Sequence, residues 1–168
     1  MQNGYSFRKA GLADKDQLKS LGIKAYGQYE NVLGPEHWTK MFTSLNDESK
    51  LIELIKSSTT FVCEHKGKIV GRIHLIGKGN PWDIFQADWA YIRMLGIDPA
   101  HSGNGIAKKL TLLCLEEAKK NNEIILALHT SEFMNAARHI YESLGFKISK
   151  EIEPRFAKRY WLYTLDLN

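Results

Sequence analysis

Residues 97–110 read IDPAHSGNGIAKKL, and they follow a run of strand-forming residues. Gly103 and Gly105 lie where that strand gives way to a helical pattern, so the backbone can wrap closely around a ligand there. Free N–H groups of the first helical turn and the positive end of the helix dipole favour a phosphate at such a place. Lys108 and Lys109 add positive charge one turn further on. An ordinary tight turn accounts for the glycines equally well, so this segment alone leaves both interpretations open.

Two other phosphate-binding loops do not fit the same stretch. A dinucleotide-binding G-x-G-x-x-G pattern is absent, because Gly103 and Gly105 are followed by Lys108. A Walker A loop, G-x-x-x-x-G-K-[ST], cannot be placed here either. The formal net charge of +4 suits an anionic ligand, but it also suits a protein with none. No dense basic block interleaved with aromatic residues occurs, so nucleic acid is not a predicted partner.

Strand and helix patterns alternate along the chain. Alternating and buried apolar runs predict strands over 5–10, 61–64, 69–74, 89–97, 124–128, 146–148 and 159–165. Helical spacing, with Asp14 as an N-cap and Pro35 near a helix start, predicts helices over 14–25, 35–42, 106–121 and 135–144, and a short amphipathic stretch around 51–55. Gly67 supplies the positive φ of a hairpin turn. Strand–helix units are concentrated after residue 88, so the predicted fold class is α/β with a mixed sheet.

Length and composition favour one cytoplasmic domain spanning residues 1–168. The chain is 43% hydrophobic and 25% charged, and no linker or repeat divides it. The longest apolar run, residues 124–128, is too short to span a bilayer, and the first residues lack the apolar core of a signal peptide. Cys63 and Cys114 have no metal-type spacing to a second ligand, so they are interpreted as reduced core residues and no metal site is predicted.

A second informative stretch reads LHTSEFMNAARHIYESLGF, residues 128–146. It predicts a strand end, then a helix from Asn135 that Gly145 terminates in the usual C′ position. Tyr141 is one and two-thirds turns beyond Asn135 on that helix, and a phenol of pKa ~10 can act as a general acid. Core packing explains Tyr141 as well, if this stretch is taken alone.

Together the two stretches resemble the hallmarks of the GNAT N-acetyltransferase superfamily. The first resembles its pyrophosphate loop, Q/R-x-x-G-x-G/A, at Gly105 and Ala107, and departs from it at Ser102. The second resembles N-x-x-A-x-x-x-Y-x-x-x-G-F, with Tyr141, Gly145 and Phe146 in register and Asn135 one place from the Asn of the pattern. The resemblance implies a GNAT acyl-CoA N-acyltransferase fold, with a mixed, mostly antiparallel sheet of about six or seven strands flanked by helices.

The resemblance also implies acetyl-CoA as co-substrate and assigns residues to it. Two central strands, ending near Ile97 and Leu128, are expected to splay apart and admit the pantetheine arm. The expected cofactor-binding residues are Leu95, Ile97, Ser102, Gly103, Asn104, Gly105, Ile106, Ala107, Lys108, Asn135 and Tyr141. The Leu95 N–H is expected to stabilise the tetrahedral intermediate, and Tyr141 to protonate the leaving thiolate. Attack by the amine is expected to be direct, within a ternary complex.

The general base and the acceptor pocket are less defined. Some family members carry Glu at the position of Tyr91, so the candidate bases are Tyr91, Asp88, His74 and His129. Arg93 is expected to share a strand face with Tyr91 and Leu95, where it is either structural or a ligand for a substrate carboxylate. Aromatic residues that either line an acceptor pocket or pack in the core are Tyr26, Tyr29, Trp38, Trp82 and Trp89.

Three functions fit these observations. The first is an N-acetyltransferase for a small-molecule amine, which is the preferred prediction. The second is a protein or peptide N-acetyltransferase, which would need an open groove near the loop 77–88. The third is a non-catalytic acyl-CoA-binding regulatory module, which Ser102 and the absent Glu at position 91 keep open and the presence of Tyr141 argues against. A homodimer is left open.

Overall fold

The computed structural model describes residues 4–168, and its centre is one seven-stranded sheet. The strands are β1 (Tyr5–Ala10), β2 (Thr59–His65), β3 (Lys68–Ile76), β4 (Ala90–Ile97), β5 (Ile125–Ser131), β6 (Lys147–Arg155) and β7 (Lys158–Asp166). Their order is β1-β2-β3-β4-β5-β7-β6. Only β4 and β5 pair in parallel, and the other five pairings are antiparallel. The predicted mixed, mostly antiparallel sheet of six or seven strands is therefore confirmed.

Five helices cover the two faces of the sheet. They are α1 (Lys15–Gly27), α2 (Glu30–Leu45), α3 (Glu48–Ser57), α4 (Ile106–Lys120) and α5 (Asn135–Ser143). Buried leucines and isoleucines of α1 and α3 pack on Val62 and Ile69 of the sheet. The apolar stripe of α4, including Leu110 and Cys114, packs with Tyr141 of α5 on the opposite face. We call these the α1–α3 face and the α4–α5 face.

Two tight connections follow directly from glycine chemistry. Lys66 and Gly67 join β2 to β3 with φ of 50° and 77°, a two-residue turn in which both positions are left-handed. Gly145 has φ of 98° immediately after α5 and its C-cap Leu144. Gly67 and Gly145 therefore have the turn and helix-end roles that the sequence predicted.

Two helix starts differ in detail from the sequence prediction: α1 lacks the predicted cap, and α2 begins before the predicted residue. Asp14 precedes α1, but its carboxylate does not cap that helix. It accepts hydrogen bonds from the Gly11 N–H at 3.0 Å and from Arg8 Nη2 at 2.8 Å, because the guanidinium on β1 offers a stronger, charged donor. Helix α2 already begins at Glu30, and Gly34, with φ of 80°, breaks it so that a second segment begins at Pro35 as predicted.

Candidate active site

The parallel strands β4 and β5 pair over only two residue positions and then separate. Their paired residues are Ala90 with Leu126 and Tyr91 with Ala127. Beyond Tyr91, the edge of β4 that faces β5 has no paired strand within the part of the chain that the structure describes. The expected splay is therefore present, and it leaves a gap between two central strands.

A bulge in β4 changes which residues face each side of the gap. Met94 has φ of 59°, and the pairing of β4 with β3 shifts between Arg72 and His74. Tyr91 and Met94 pack in the cluster on the α1–α3 face, whereas Leu95 packs in the cluster on the α4–α5 face. The prediction that Tyr91, Arg93 and Leu95 share one face is therefore wrong, because the extra residue of the bulge interrupts the alternation of side chains.

The glycine-rich turn lies between β4 and the first turn of α4. Gly103 and Gly105 have φ of 80° and 75°, and the space beside both is open, so their backbone conformation rather than crowding favours glycine. The Ser102 hydroxyl donates to the Pro99 carbonyl at 2.9 Å, and the Asn104 amide donates to the His101 carbonyl at 2.9 Å. These bonds hold the turn against the positive end of the α4 dipole.

Seven predicted binding residues are contiguous in this turn. The side chain of Ile106 is buried in the core, so only its backbone is available to a ligand. The side chains of Ser102, Asn104 and Lys108 are exposed, and Ala107 is half-buried. An anion at this place would therefore meet mainly backbone N–H groups, with the charge of Lys108 beside them.

Helix α5 brings Tyr141 to the α4–α5 side of the gap. Asn135 is the exposed first residue of the helix, and Tyr141 is 5% exposed, with its ring 5.8 Å from that of Phe146. Leu95 and Ile97 pack against the same apolar cluster. Burial raises the pKa of Tyr141 well above its usual value, and the neighbouring Tyr26, Cys114 and Tyr29 contribute in the same direction. Tyr141 therefore keeps its proton at neutral pH.

Tyr26 reaches the same part of β4 from the α1–α3 side. Its hydroxyl donates a hydrogen bond of 3.0 Å to the Leu95 carbonyl, immediately after the bulge. Burial raises its pKa, so it remains a donor at neutral pH. The sequence indicated Tyr26 only as one of several pocket aromatics, since no local pattern links a helix tyrosine to a strand carbonyl 69 residues away.

Two of the four candidate bases are already engaged. The Tyr91 hydroxyl donates to the Asn80 carbonyl at 2.9 Å, and burial raises its pKa. His74 is fully buried, and its Nδ1 lies 2.8 Å from the Thr60 hydroxyl oxygen. Burial, then the charges of Arg72 and Arg93, lower the pKa of His74 well below its usual value. Neither group is well suited to accept a proton from an incoming amine.

The other two candidates differ in position. His129 faces the α1–α3 side, where its Nε2 lies 3.1 Å from Arg155 Nη1. Burial and the adjacent Arg155 charge lower the pKa of His129 to about 4. Asp88 is exposed at the end of the loop that precedes β4. His129 is therefore neutral, but its Nε2 accepts a hydrogen bond from Arg155, so it is engaged as well, whereas Asp88 lies in solvent.

Aromatic side chains form a continuous series on the α1–α3 side of the gap. Successive ring centroids are 4.3 to 6.3 Å apart along Tyr26, Tyr29, Phe133, Tyr160, His129, Phe85, Tyr91 and Trp82. Trp38 instead packs beside Phe42, with 6.1 Å between ring centroids. Trp89 is half-buried against the cluster that contains Tyr91. Tyr26, Tyr29 and Trp82 of the predicted aromatics therefore belong to the series.

A cavity of about 540 Å³ opens beside this series, between α3, the neighbouring strands β3 and β4, and residues 80–82. We call it the α3–β4 cavity. Its β4 wall consists of Tyr91, Arg93 and the bulge residue Met94, and its β3 wall includes Arg72. The volume is in the range of small-molecule sites. An acceptor placed here would approach the gap from the face opposite Tyr141.

The described residues 4–168 hold no cluster of three His, Cys, Asp or Glu side chains that could ligate a metal. None of their helices is long and apolar enough to cross a membrane.

Comparison with known proteins identifies related sequences and structures. N-acetylaspartate synthetase of Xenopus tropicalis is 32% identical over 105 residues, which cover 62% of this chain and 36% of that protein. The uncharacterized N-acetyltransferase YjgM of Escherichia coli is 32% identical over 87 residues, 52% of this chain and 50% of that protein. The matched stretch thus spans a third to a half of these relatives.

A solved structure shares the fold across nearly the whole chain. It is the PaiA N-acetyltransferase of Thermoplasma acidophilum in complex with coenzyme A, with a TM-score of 0.75 and 16% identity. The superposition covers 94% of this chain and 97% of that one. The sequence profile described as "Acetyltransferase (GNAT) family" matches residues 27–146, which include β4, the glycine turn and α5. The chain belongs to the GNAT acetyltransferase family.

Proposed function

We propose that this protein is an N-acetyltransferase that transfers the acetyl group of acetyl-CoA to an amine of a small molecule. The observation that carries the proposal is the gap between β4 and β5, which connects two different half-sites. The glycine turn and Tyr141 lie on the α4–α5 side. The α3–β4 cavity lies on the other side, against the bulge residue Met94. Acetyl-CoA and the amine can therefore be bound at the same time, one on each side of the sheet, and react through the gap.

The donor half-site has the features that acetyl-CoA needs. In this proposal the backbone N–H groups of residues 103–107 bind the pyrophosphate, with Ser102, Asn104 and Lys108 exposed around them. The unpaired edge of β4, including Leu95 and Ile97, offers backbone groups to an amide-containing arm. We assign Asn135, the exposed first residue of α5, to the same half-site.

Acetyl-CoA supplies an acyl thioester that an amine can attack directly. The amine nitrogen forms a bond to the carbonyl carbon, the carbon–sulfur bond breaks, and one proton moves from nitrogen to sulfur overall. The Leu95 N–H stabilises the negative charge that develops on the carbonyl oxygen. Tyr141, protonated because burial raises its pKa, donates a hydrogen bond to the departing sulfur. Since His74, Tyr91 and His129 are each engaged by a neighbouring group, the amine loses its proton to water in the cavity.

A small acceptor fits the structure better than a peptide. The loop 77–89 lies against β4, where Tyr91 is hydrogen-bonded to Asn80 and Trp82 is stacked near Tyr91. This arrangement produces a cavity that is bounded by the loop on one side, and not an extended groove of the kind a peptide would need. The name of the relative N-acetylaspartate synthetase also points to a small-molecule product.

The test is CoA release from acetyl-CoA with a broad panel of amines and peptides, with Tyr141→Phe in parallel. We expect turnover on a small amine, and a fall of roughly 100-fold or more in kcat for Tyr141→Phe with an unchanged Kd for acetyl-CoA. Tyr163→Phe is the matched control, since it removes a buried hydroxyl from the same cluster. Acetyl-CoA binding with no turnover on any amine or peptide would favour a non-catalytic module. Turnover on peptides alone would favour a protein substrate. Absence of acetyl-CoA binding would refute the proposal.

A further inference from the structure

Arg72 is an almost completely buried cation that lacks a carboxylate partner. It is 3% exposed, and it lines the α3–β4 cavity. Its Nη1 donates to the Leu18 carbonyl at 3.0 Å, and its Nε is buried with no hydrogen-bond partner. A buried charge is normally paired with an opposite charge, and Arg72 has only one backbone carbonyl as a hydrogen-bond partner.

Arg93 lies on the adjacent β4 wall of the cavity and is also without a paired carboxylate. Its guanidinium carbon is 3.8 Å from the centroid of the Trp82 ring, so stacking orients the plane of the group. It is half-buried, and burial lowers its pKa. In residues 4–168, no ion pair within 4.0 Å joins Arg72 or Arg93 to a carboxylate.

The nearest acidic groups do not cancel this charge. Asp83 is paired with Arg155 at 2.6 Å. Glu53 is exposed at the rim of the cavity, and it forms no ion pair with either arginine. Burial lowers the pKa of Arg72 to about 10, so this residue remains a cation at neutral pH. His74 lies opposite Arg93 on β3 and is kept neutral. The cavity is therefore lined by these two arginines and by the exposed Lys50 and Glu53, and neither arginine is paired with a carboxylate in residues 4–168.

We propose, on the basis of the acetyltransferase function above, that the acceptor amine carries a carboxylate, which binds in the α3–β4 cavity between Arg72 and Arg93. The free edge of a guanidinium matches the two oxygens of a carboxylate. Stacking on Trp82 leaves that edge of Arg93 available. Binding the carboxylate beside Tyr91 and Met94 places the amine of an amino acid toward the gap. The substrate class is therefore an amino acid or a closely related amino carboxylate.

The experiment compares matched acceptors that differ only in the anionic group. Aspartate is compared with asparagine, glutamate with glutamine, and each amino acid with its α-amide, in assays of CoA release. Phosphoethanolamine and β-alanine form a further pair that separates a phosphate from a carboxylate. Each is measured with the wild-type protein and with Arg93→Met, Arg93→Lys and Arg159→Met. Arg159 is an exposed arginine paired with Glu151, outside the cavity, and so is a matched control.

We expect wild type to prefer the carboxylate member of at least one pair by tenfold or more in kcat/KM. Arg93→Met should reduce that ratio by roughly tenfold to hundredfold, mainly through KM, and Arg93→Lys should restore part of it. Arg159→Met should leave the ratio unchanged. Because ratios are compared between variants, differences in the intrinsic reactivity of the amines cancel.

Three results would overturn the assignment. The first is an equal kcat/KM of wild type for the acid and the amide of every pair. The second is an equal loss of kcat/KM for acid and amide in Arg93→Met. The third is a preference of wild type for phosphoethanolamine over β-alanine, which would replace the carboxylate with a phosphate. Calorimetry with acetyl-CoA alone separates these results from failure of the proposed function. Binding with turnover on uncharged amines would refute only the carboxylate, whereas absence of binding would refute both.

Discussion

The hydroxyl of Tyr26 is the side-chain group that connects α1 to the β4 bulge. We expect Tyr26→Phe to lower kcat/KM about fivefold, because losing one hydrogen bond of ~1 kcal/mol frees the Leu95 carbonyl and with it the adjacent peptide groups of the bulge. Steady-state kinetics with acetyl-CoA and the acceptor measure this. Tyr29→Phe is the control, since Tyr29 packs edge-to-face on Tyr26 at 6.2 Å. An equal loss in both variants would mean that the hydrogen bond does not position the site.

Residue-scale chemistry also explains which candidates from the sequence were unsuitable. Tyr91 and His74 were reasonable bases on residue type alone, yet each is bonded to a neighbour that the sequence pattern could not reveal. His74 meets Thr60 across two paired strands, and Tyr91 meets a backbone carbonyl in the preceding loop. Ionisable residue types are visible in a sequence, but their protonation depends on burial and on partners that only packing assigns.

At the scale of elements, the start of α4 is the most specific feature of the donor half-site. We expect Gly105→Ala to weaken acetyl-CoA binding by about tenfold, because a φ of 75° is strained for alanine and relaxation would redirect the N–H groups of the first turn. Gly67→Ala is a close control, since Gly67 has φ of 77° and open space beside it, but lies in the β2–β3 turn. Both variants should lose about 1 kcal/mol of stability. Calorimetric Kd values check the difference, and equal Kd values would contradict it.

The bulge in β4 shows where element-level prediction stops. The strand itself was predicted over 89–97 and observed at Ala90–Ile97. Its alternation was predicted to continue, but Met94 adopts a positive φ that its residue type does not favour. The antiparallel pairing with β3 and the contact of Gly96 with Ala25 and Tyr26 accompany that conformation. A bulge is therefore a property of a strand together with its neighbours.

At the scale of the whole molecule, two histidines inside the fold couple stability to pH. The folded pKa of His129 is about 4 and that of His74 is also lowered, whereas an unfolded histidine titrates near 6.5. Below pH ~6.5 the unfolded chain binds protons that the folded chain does not, so stability falls as pH falls. Each such group contributes a slope of up to about 1.4 kcal/mol per pH unit.

The measurement is the free energy of unfolding in urea at pH 7, 6 and 5. We expect a decline for wild type, and a smaller decline for His129→Gln, which removes one of the two groups. His139→Gln changes an exposed histidine on α5 and should follow wild type. A decline of equal size in all three proteins would show that groups other than His129 control the pH dependence of folding.

The sequence by itself determined the order and type of the main elements and the family. These features depend on local patterns, namely apolar periodicity, glycine at positive φ, and a glycine turn directly before a helix. Gly103, Gly105 and Gly145 adopt left-handed conformations at the two turns that the sequence predicted, and Tyr141 lies in the helix predicted for it. Each of these signals extends over fewer than about 20 residues of chain.

Only the tertiary structure decided how the two half-sites are arranged. The packing of β4 against β3 and α1 accompanies the bulge that separates Tyr91 from Leu95, and the pairing of β3 with β4 brings Arg72 and Arg93 to adjacent walls of one cavity. In residues 4–168 neither arginine is paired with a carboxylate, because the acidic side chains near them pack elsewhere or lie exposed. Such relations join residues that are far apart in the chain, and they arise from the packing of the whole core rather than from any local propensity.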